Sequence, residues 1–258
     1  LRALLLSICS CAEKRREQPV AVNGVIDLSS WDFEKDGSVP IIGDWHFHWK
    51  ELITPDQARQ APAAQLTHVP GFWDNLQDLN RPGEEIGPYG YATYRMEVRG
   101  LTPGTTLGLR MFLACTAYEL YWVESTGRAS SIPLMNAGSV RPDGMIPEFI
   151  LRTGTVDVKS TEATILLYVG NEHITFGGLP TPLTIDTAKG VIEWENNWLA
   201  LGSASIAIML VMFVYHLILF GLYRQDRASL GGRFIAGGKN GAGNIAGSPV
   251  LSWAAKCR

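Results

Sequence analysis

The sequence predicts an all-β domain, a jelly roll or β-sandwich, followed by one transmembrane α-helix. Three observations carry this. Short runs alternate apolar and polar residues, turn signals separate those runs, and one long uncharged segment lies towards the C-terminus. The 258 residues suffice for one large domain or two small ones. A formal charge of -3 gives no electrostatic reason to expect a nucleic-acid partner.

The alternation is explicit. In "IIGDWHFHWKEL", Trp45, Phe47 and Trp49 share one face of a strand, and Asp44, His46 and His48 share the other. In "YATYRMEVRG", Ala92, Tyr94, Met96 and Val98 oppose Thr93, Arg95, Glu97 and Arg99. "TTLGLRMFLA" sets Leu107, Leu109, Met111 and Leu113 against Arg110 and Phe112. "AYELYWVEST" and "ATILLYVGN" are apolar on both sides, which suits strands covered on both faces. "TPG", "RPDG" and "GGLPTP" punctuate these runs. A helix is expected at "TPDQARQA", with Thr54 as N-cap and Pro55 first inside, and another at "AKGVIEWENNW", continuing into the membrane.

Two apolar segments frame this body. Leu199–Tyr223 holds no Asp, Glu, Lys or Arg, long enough for a ~30 Å hydrocarbon core. Trp198 and Tyr223 flank it at interface positions, Glu193 and Glu195 precede it, and Arg224 and Arg227 follow it. Positive-inside bias puts the C-terminal side in the cytoplasm and the β domain outside, in the periplasm or beyond the cell. His216, within the span, is expected as a neutral imidazole hydrogen-bonded inside a helix bundle. At the N-terminus, Arg2, a short apolar run and a polar stretch from Glu13 have the shape of an export signal. "ICSC" has lipobox character, which makes Cys11 a candidate lipidation site; an ordinary cleaved signal or uncleaved anchor is the alternative. Cys115 is expected as a buried free thiol.

Several of these stretches resemble landmarks of a known family. "GVIDLSSWDFEKDGSVPIIGDWHFHWKELITPDQ", "VPGFWDN", "GPYGYATYR", "AYELYWV", "NEHITFGGLPTPL" and "MFVYHLILFGLYRQDRASL" are similar, in order and spacing, to the bacterial seven-transmembrane receptors with diverse intracellular signalling modules (7TM-DISM). The resemblance covers about Gly24 to Leu230. It implies an exported jelly roll similar to galactose-binding and glycoside hydrolase family 2 sugar-binding modules, then a membrane bundle and a cytoplasmic cyclase, kinase or phosphatase. Residues 1–19 are then a signal or lipoprotein-like segment, and 20–190 the ligand-binding domain. Residues 191–227 form the juxtamembrane segment and helix, and 228–258 a Gly-rich tail expected from a truncation or frameshift after Leu230.

The expected function is ligand sensing at an inner membrane, with a small-molecule ligand such as a saccharide. The alternative is a membrane-tethered sugar-binding or adhesion module acting alone. Aromatic faces stack on pyranoses and polar neighbours fix hydroxyls. On that chemistry the ligand-binding candidates are Trp73, Tyr89, Tyr91 and Trp122, with Arg95, Asn171 and Glu172 as polar partners. Tyr94, sharing a face with Met96 and Val98, belongs to the core instead. His46 and His48 have H-x-H spacing but are expected as surface histidines, and no metal or cofactor is expected. Glu84, Glu85, Glu119, Glu148 and Glu172 show no pairing of the kind glycosidic cleavage needs, so no enzyme activity is expected.

Overall fold

The computed structural model describes residues 16–62, 64–74, 76–78, 85–125 and 130–223. Cys9, Cys11, Glu84 and the tail beyond Tyr223, including Arg224 and Arg227, lie outside these residues. The chain divides into two units, residues 1–197 and 198–258.

The first unit is a β-sandwich. In chain order its elements are β1 (Val25–Asp27), α1 (Phe33–Asp36), β2 (Val39–Pro40), β3 (Gly43–Trp49), β4 (Gln65–Val69), β5 (Gly71–Phe72) and β6 (Gly90–Arg99). There follow β7 (Thr106–Met111), β8 (Ala117–Glu124), β9 (Met135–Ala137), β10 (Arg152–Asp157), β11 (Glu162–Asn171), β12 (Gly178–Leu179), β13 (Thr184–Thr187) and α2 (Ala188–Tyr223). The larger sheet runs β4-β3-β6-β11-β8-β9, with β1 pairing in parallel with the far end of β6. The second sheet runs β10-β7-β13-β2, and β12-β5 form a small ribbon.

The period-2 pattern decides which side chains meet. Trp45, Phe47, Tyr94, Met96, Leu120 and Ile165 of the first sheet share one buried cluster with Val39, Leu109, Met111 and Ile185 of the second. Tyr94 is a core residue, its ring edge-on to Phe47 at 5.1 Å. The strands that are apolar on both faces also have a physical explanation. A second cluster of Ile53, Ala58, Tyr121, Val123, Leu166 and Tyr168 seals the outer face of the larger sheet under residues 51–61. That cover is held by hydrogen bonds. Thr93 Oγ1 donates to the Glu51 carbonyl at 2.6 Å and accepts from Ile53 N, and Tyr168 donates to the Ile53 carbonyl.

This cover corrects two expectations. His48 is not a surface histidine; it is 5% exposed, with Nδ1 3.4 Å from Glu51 and Nε2 unbonded. His46 is half-buried. The expected helix at "TPDQARQA" is a single 3-10 turn, Pro55–Gln57, though Thr54 does precede it as N-cap. A longer helix would need an N–H at position 62 for the Ala58 carbonyl, and that residue is proline. Arg95 Nε donates to that carbonyl instead, at 2.7 Å.

Helix α2 follows β13 without a break. Thr187 Oγ1 accepts from Gly190 N at 2.9 Å, so the last strand residue caps the helix. Val191 is buried where β7 has only Gly108; a Cβ on that glycine would meet Val191 Cγ2 at 2.5 Å. The Arg110 guanidinium lies over the Trp194 ring at 4.5 Å, and Thr153 Oγ1 bonds Glu195 at 3.1 Å.

From Trp198 to Tyr223 the helix is exposed except at half-buried Leu219, with mean hydropathy 2.4 in its most apolar window and length and composition sufficient to cross a membrane. Within it, Ser203, Ser205 and His216 satisfy themselves on the carbonyls one turn back; His216 Nδ1 is 2.7 Å from Met212 O.

Candidate functional site

A cleft of about 540 Å³ opens at the end of the sandwich where β1, the β6–β7 turn and β13 converge. Its geometry begins with one glycine. Gly100 has φ +77, and a Cβ there would sit 2.1 Å from Ser29 N. Only glycine lets residues 28–33 close over the end of β6, where Leu28 N bonds the Arg99 carbonyl at 2.9 Å. The chain then turns into α1, whose N-cap Asp32 accepts from Glu34 N and Lys35 N. Trp31 and Phe33, partly buried against the core, are thereby set in the cleft wall above Leu28, Leu101 and Leu107.

The polar groups differ in availability. Trp31 Nε1 donates to the Gly37 carbonyl at 2.9 Å, so the indole N–H is spent and the ring surface remains. Asp32 is engaged by its cap bonds and by Lys35 at 2.7 Å; the Lys35 bond holds its carboxyl below the usual range. Thr105 Oγ1 donates to Thr102 O and Thr106 Oγ1 to Asp157, leaving hydroxyl lone pairs open. Glu34 is exposed, and its carboxylate accepts no hydrogen bond among the described residues. Thr187, the cap of α2, lines the same cleft. The site thus offers aromatic surface, threonine oxygens and one free carboxylate. That combination suits a neutral polyhydroxylated molecule and disfavours an anion. Behind it, burial raises the Asp186 carboxyl above its usual range, while the Thr187 N–H and Arg110 partly offset this.

The residues expected from sequence do not assemble into one site. Trp73 is fully buried, its Nε1 donating to the Pro88 carbonyl at 3.3 Å, so it has no face left for stacking. Asn171, also fully buried, lies with Nδ2 2.8 Å from the carbonyls of Pro88 and Ile174, and Oδ1 accepts from His173 N and Ile174 N. It shapes the loop after β11. Trp122 faces inward against the main core rather than lying on a loop. Tyr91 packs on the second cluster, partly buried. Arg95 is 5% exposed on the outer sheet face. Tyr89 is exposed at 53%, and Glu172 is exposed with Oε2 accepting from Met145 N at 3.3 Å. Around the Pro88 carbonyl, Trp73 and Asn171 form a scaffold with Tyr89 next to it in sequence; Arg95 and Trp122 lie elsewhere.

Trp31, Phe33 and Glu34 were missed, although "SSWDFEKDG" carries a usable signal: aromatics alternating with carboxylates in a turn before a strand. Two of the other candidate carboxylates have structural partners. Glu119 accepts from Tyr121 OH and Val140 N, and Glu148 from Gly138 N and Arg152. Among the described residues no three His, Cys, Asp or Glu side chains cluster to hold a metal. Cys115 is buried and free, its thiol pushed up to about 11 by burial.

No protein-family model matches the chain, and no curated protein matches it. Among solved structures, a family 2 β-galacturonidase from Eisenbergiella tayi is similar at TM-score 0.38 and 11% identity, over 58% of this chain and 24% of that one. Bacteroides uniformis β-glucuronidase gives 0.41 and 15%, over 57% and 17%. Bifidobacterium dentium β-glucuronidase, complexed with coumarin-3-O-glucuronide, gives 0.43 and 14%, over 57% and 29%. The chain spans less than a third of each of these enzymes, and the likeness is one of β-sandwich architecture alone.

Proposed function

We propose that the chain is a non-catalytic, ligand-sensing module of a membrane receptor, exported and joined to the bilayer through α2, in keeping with its resemblance to the 7TM-DISM proteins. One observation carries this: the lining of the 540 Å³ cleft includes Thr187, whose hydroxyl caps the helix that goes on to become apolar enough to span a membrane. A ligand in that cleft reaches Thr187, the residue that caps the first turn of α2. It shifts the receptor only if it binds two arrangements of that turn with different affinity.

The ligand class is a neutral saccharide or similar polyol, stacked on Trp31 with hydroxyls on Glu34 and the threonines. A thermal-shift screen of neutral mono- and disaccharides against the full chain in nanodiscs tests this. The expected hit loses its stabilisation in Glu34→Ala, a solvent-facing change. A hit unaffected by that substitution, or no hit at all, contradicts the assignment. A tether acting alone would bind its ligand and leave the amides of 188–191 unaltered.

A further inference from the structure

A second cleft, of about 200 Å³, lies on the outer face of the larger sheet. Arg59, Arg95 and Arg99 line it together with Glu97 and Glu162, three cations to two carboxylates. Glu97 is shared: Oε1 takes Arg95 Nη2 at 2.6 Å and Oε2 takes Arg99 Nη2 at 3.2 Å. Glu162 stands 4.0 Å from Arg99 Nε. Arg59 pairs with no carboxylate among the described residues; its Nη1 donates to the Ser125 carbonyl at 2.6 Å. The Arg95 side chain is 6% exposed, and its Nε is fixed on the Ala58 carbonyl. A buried guanidinium held rigidly from two sides is a preorganised donor, because little side-chain freedom remains to be lost on binding.

We propose that this cleft is a binding site for a small monocarboxylate, which sits between Arg59 and the Arg95–Arg99 pair. The charge count supports a single negative charge rather than two, since one monoanion brings the lining to neutrality. Planar guanidinium forks match the two oxygens of a carboxylate. The volume holds an acid of about monosaccharide size. The free carboxylate of Glu34 makes the larger cleft unfavourable for the same ligand, so the two sites are chemically complementary.

Isothermal titration calorimetry of the full chain in nanodiscs with glucuronate, glucose, acetate and inorganic phosphate tests this. Glucuronate and acetate bind in an Arg59-dependent way, and glucose, which lacks only the carboxylate, shows no Arg59-dependent binding. Arg59→Ala weakens glucuronate by about tenfold or more, the effect of losing one charge-assisted contact. Arg59 is exposed, and circular dichroism checks that the variant folds; Arg99→Ala, another exposed position, serves as the second variant with the same expected loss. Glucose binding that is lost in Arg59→Ala, phosphate binding alone, or undiminished glucuronate binding in both folded variants overturns the proposal.

Discussion

Val191→Ala perturbs the seat of α2 on the sandwich and nothing else in view. Val191 is 2% exposed, and its Cγ2 and Cβ fill the space over Gly108. The substitution removes two methyl groups, whose transfer is worth about 0.8 kcal/mol each. A residual cavity of roughly 40 Å³ adds about 1 kcal/mol at ~24 cal/mol per Å³. The expected loss is therefore about 2–3 kcal/mol, towards the lower value if Trp194 and Arg110 relax inward. The measurement is hydrogen exchange by mass spectrometry across 184–195 in nanodiscs, where amide opening free energies report the seat locally. The variant should speed exchange there by at least about tenfold, leaving β6 and β11 protected as before. Exchange at 188–191 that is already fast in the parent chain, or unchanged in the variant, would refute the idea that this turn is docked.

Three other outcomes follow from the packing. Gly100→Ala should cost about 2 kcal/mol or more, because Ala must adopt φ +77 and its Cβ meets the Ser29 backbone; thermal denaturation and loss of ligand protection at 28–34 should appear together. Asn171→Ala should destabilise by about 2–4 kcal/mol, since it abandons buried carbonyls and two capped amides at once; chemical denaturation reads this, and a loss below about 1 kcal/mol would mean solvent already reaches the loop. Burial holds the His48 pKa below its unfolded value of about 6.5, with Glu51 partly offsetting this. The unfolded chain therefore takes up this proton first as pH falls. The stability due to neutral His48 is complete above about pH 6.5 and is lost on acidification through the lowered folded value. His48→Gln should flatten denaturation midpoints between pH 7 and 5; an unchanged slope would exclude this histidine as its source.

The parts of the fold legible in the sequence were those set by local periodicity. Alternation placed Tyr94 and Trp45 inward and marked β8 and β11 as covered twice, and a charge-free run marked the apolar part of α2. What escaped was set by partners distant in sequence. His48 alternates like a surface residue, yet a loop pinned by Thr93 and Tyr168 covers it. Trp73 sits between turn residues, yet Phe47 and Trp49 enclose it at ring distances of 6.1 and 5.3 Å. The cleft depends on Gly100 meeting Ser29, a contact no window of neighbouring residues reveals. The polar candidates were misleading for a related reason. Asn171 has the donors and acceptors a sugar would need, but backbone groups of its own loop use them first.

The most direct test is hydrogen exchange of the full chain in nanodiscs, with and without the best neutral saccharide from the thermal-shift screen. Added protection is expected at 28–34 and 100–107, extending to 187–191 because Thr187 joins the cleft to the first turn of α2. Protection confined to the Tyr89 and Glu172 end, or a bound sugar that leaves 187–191 unchanged, would contradict it.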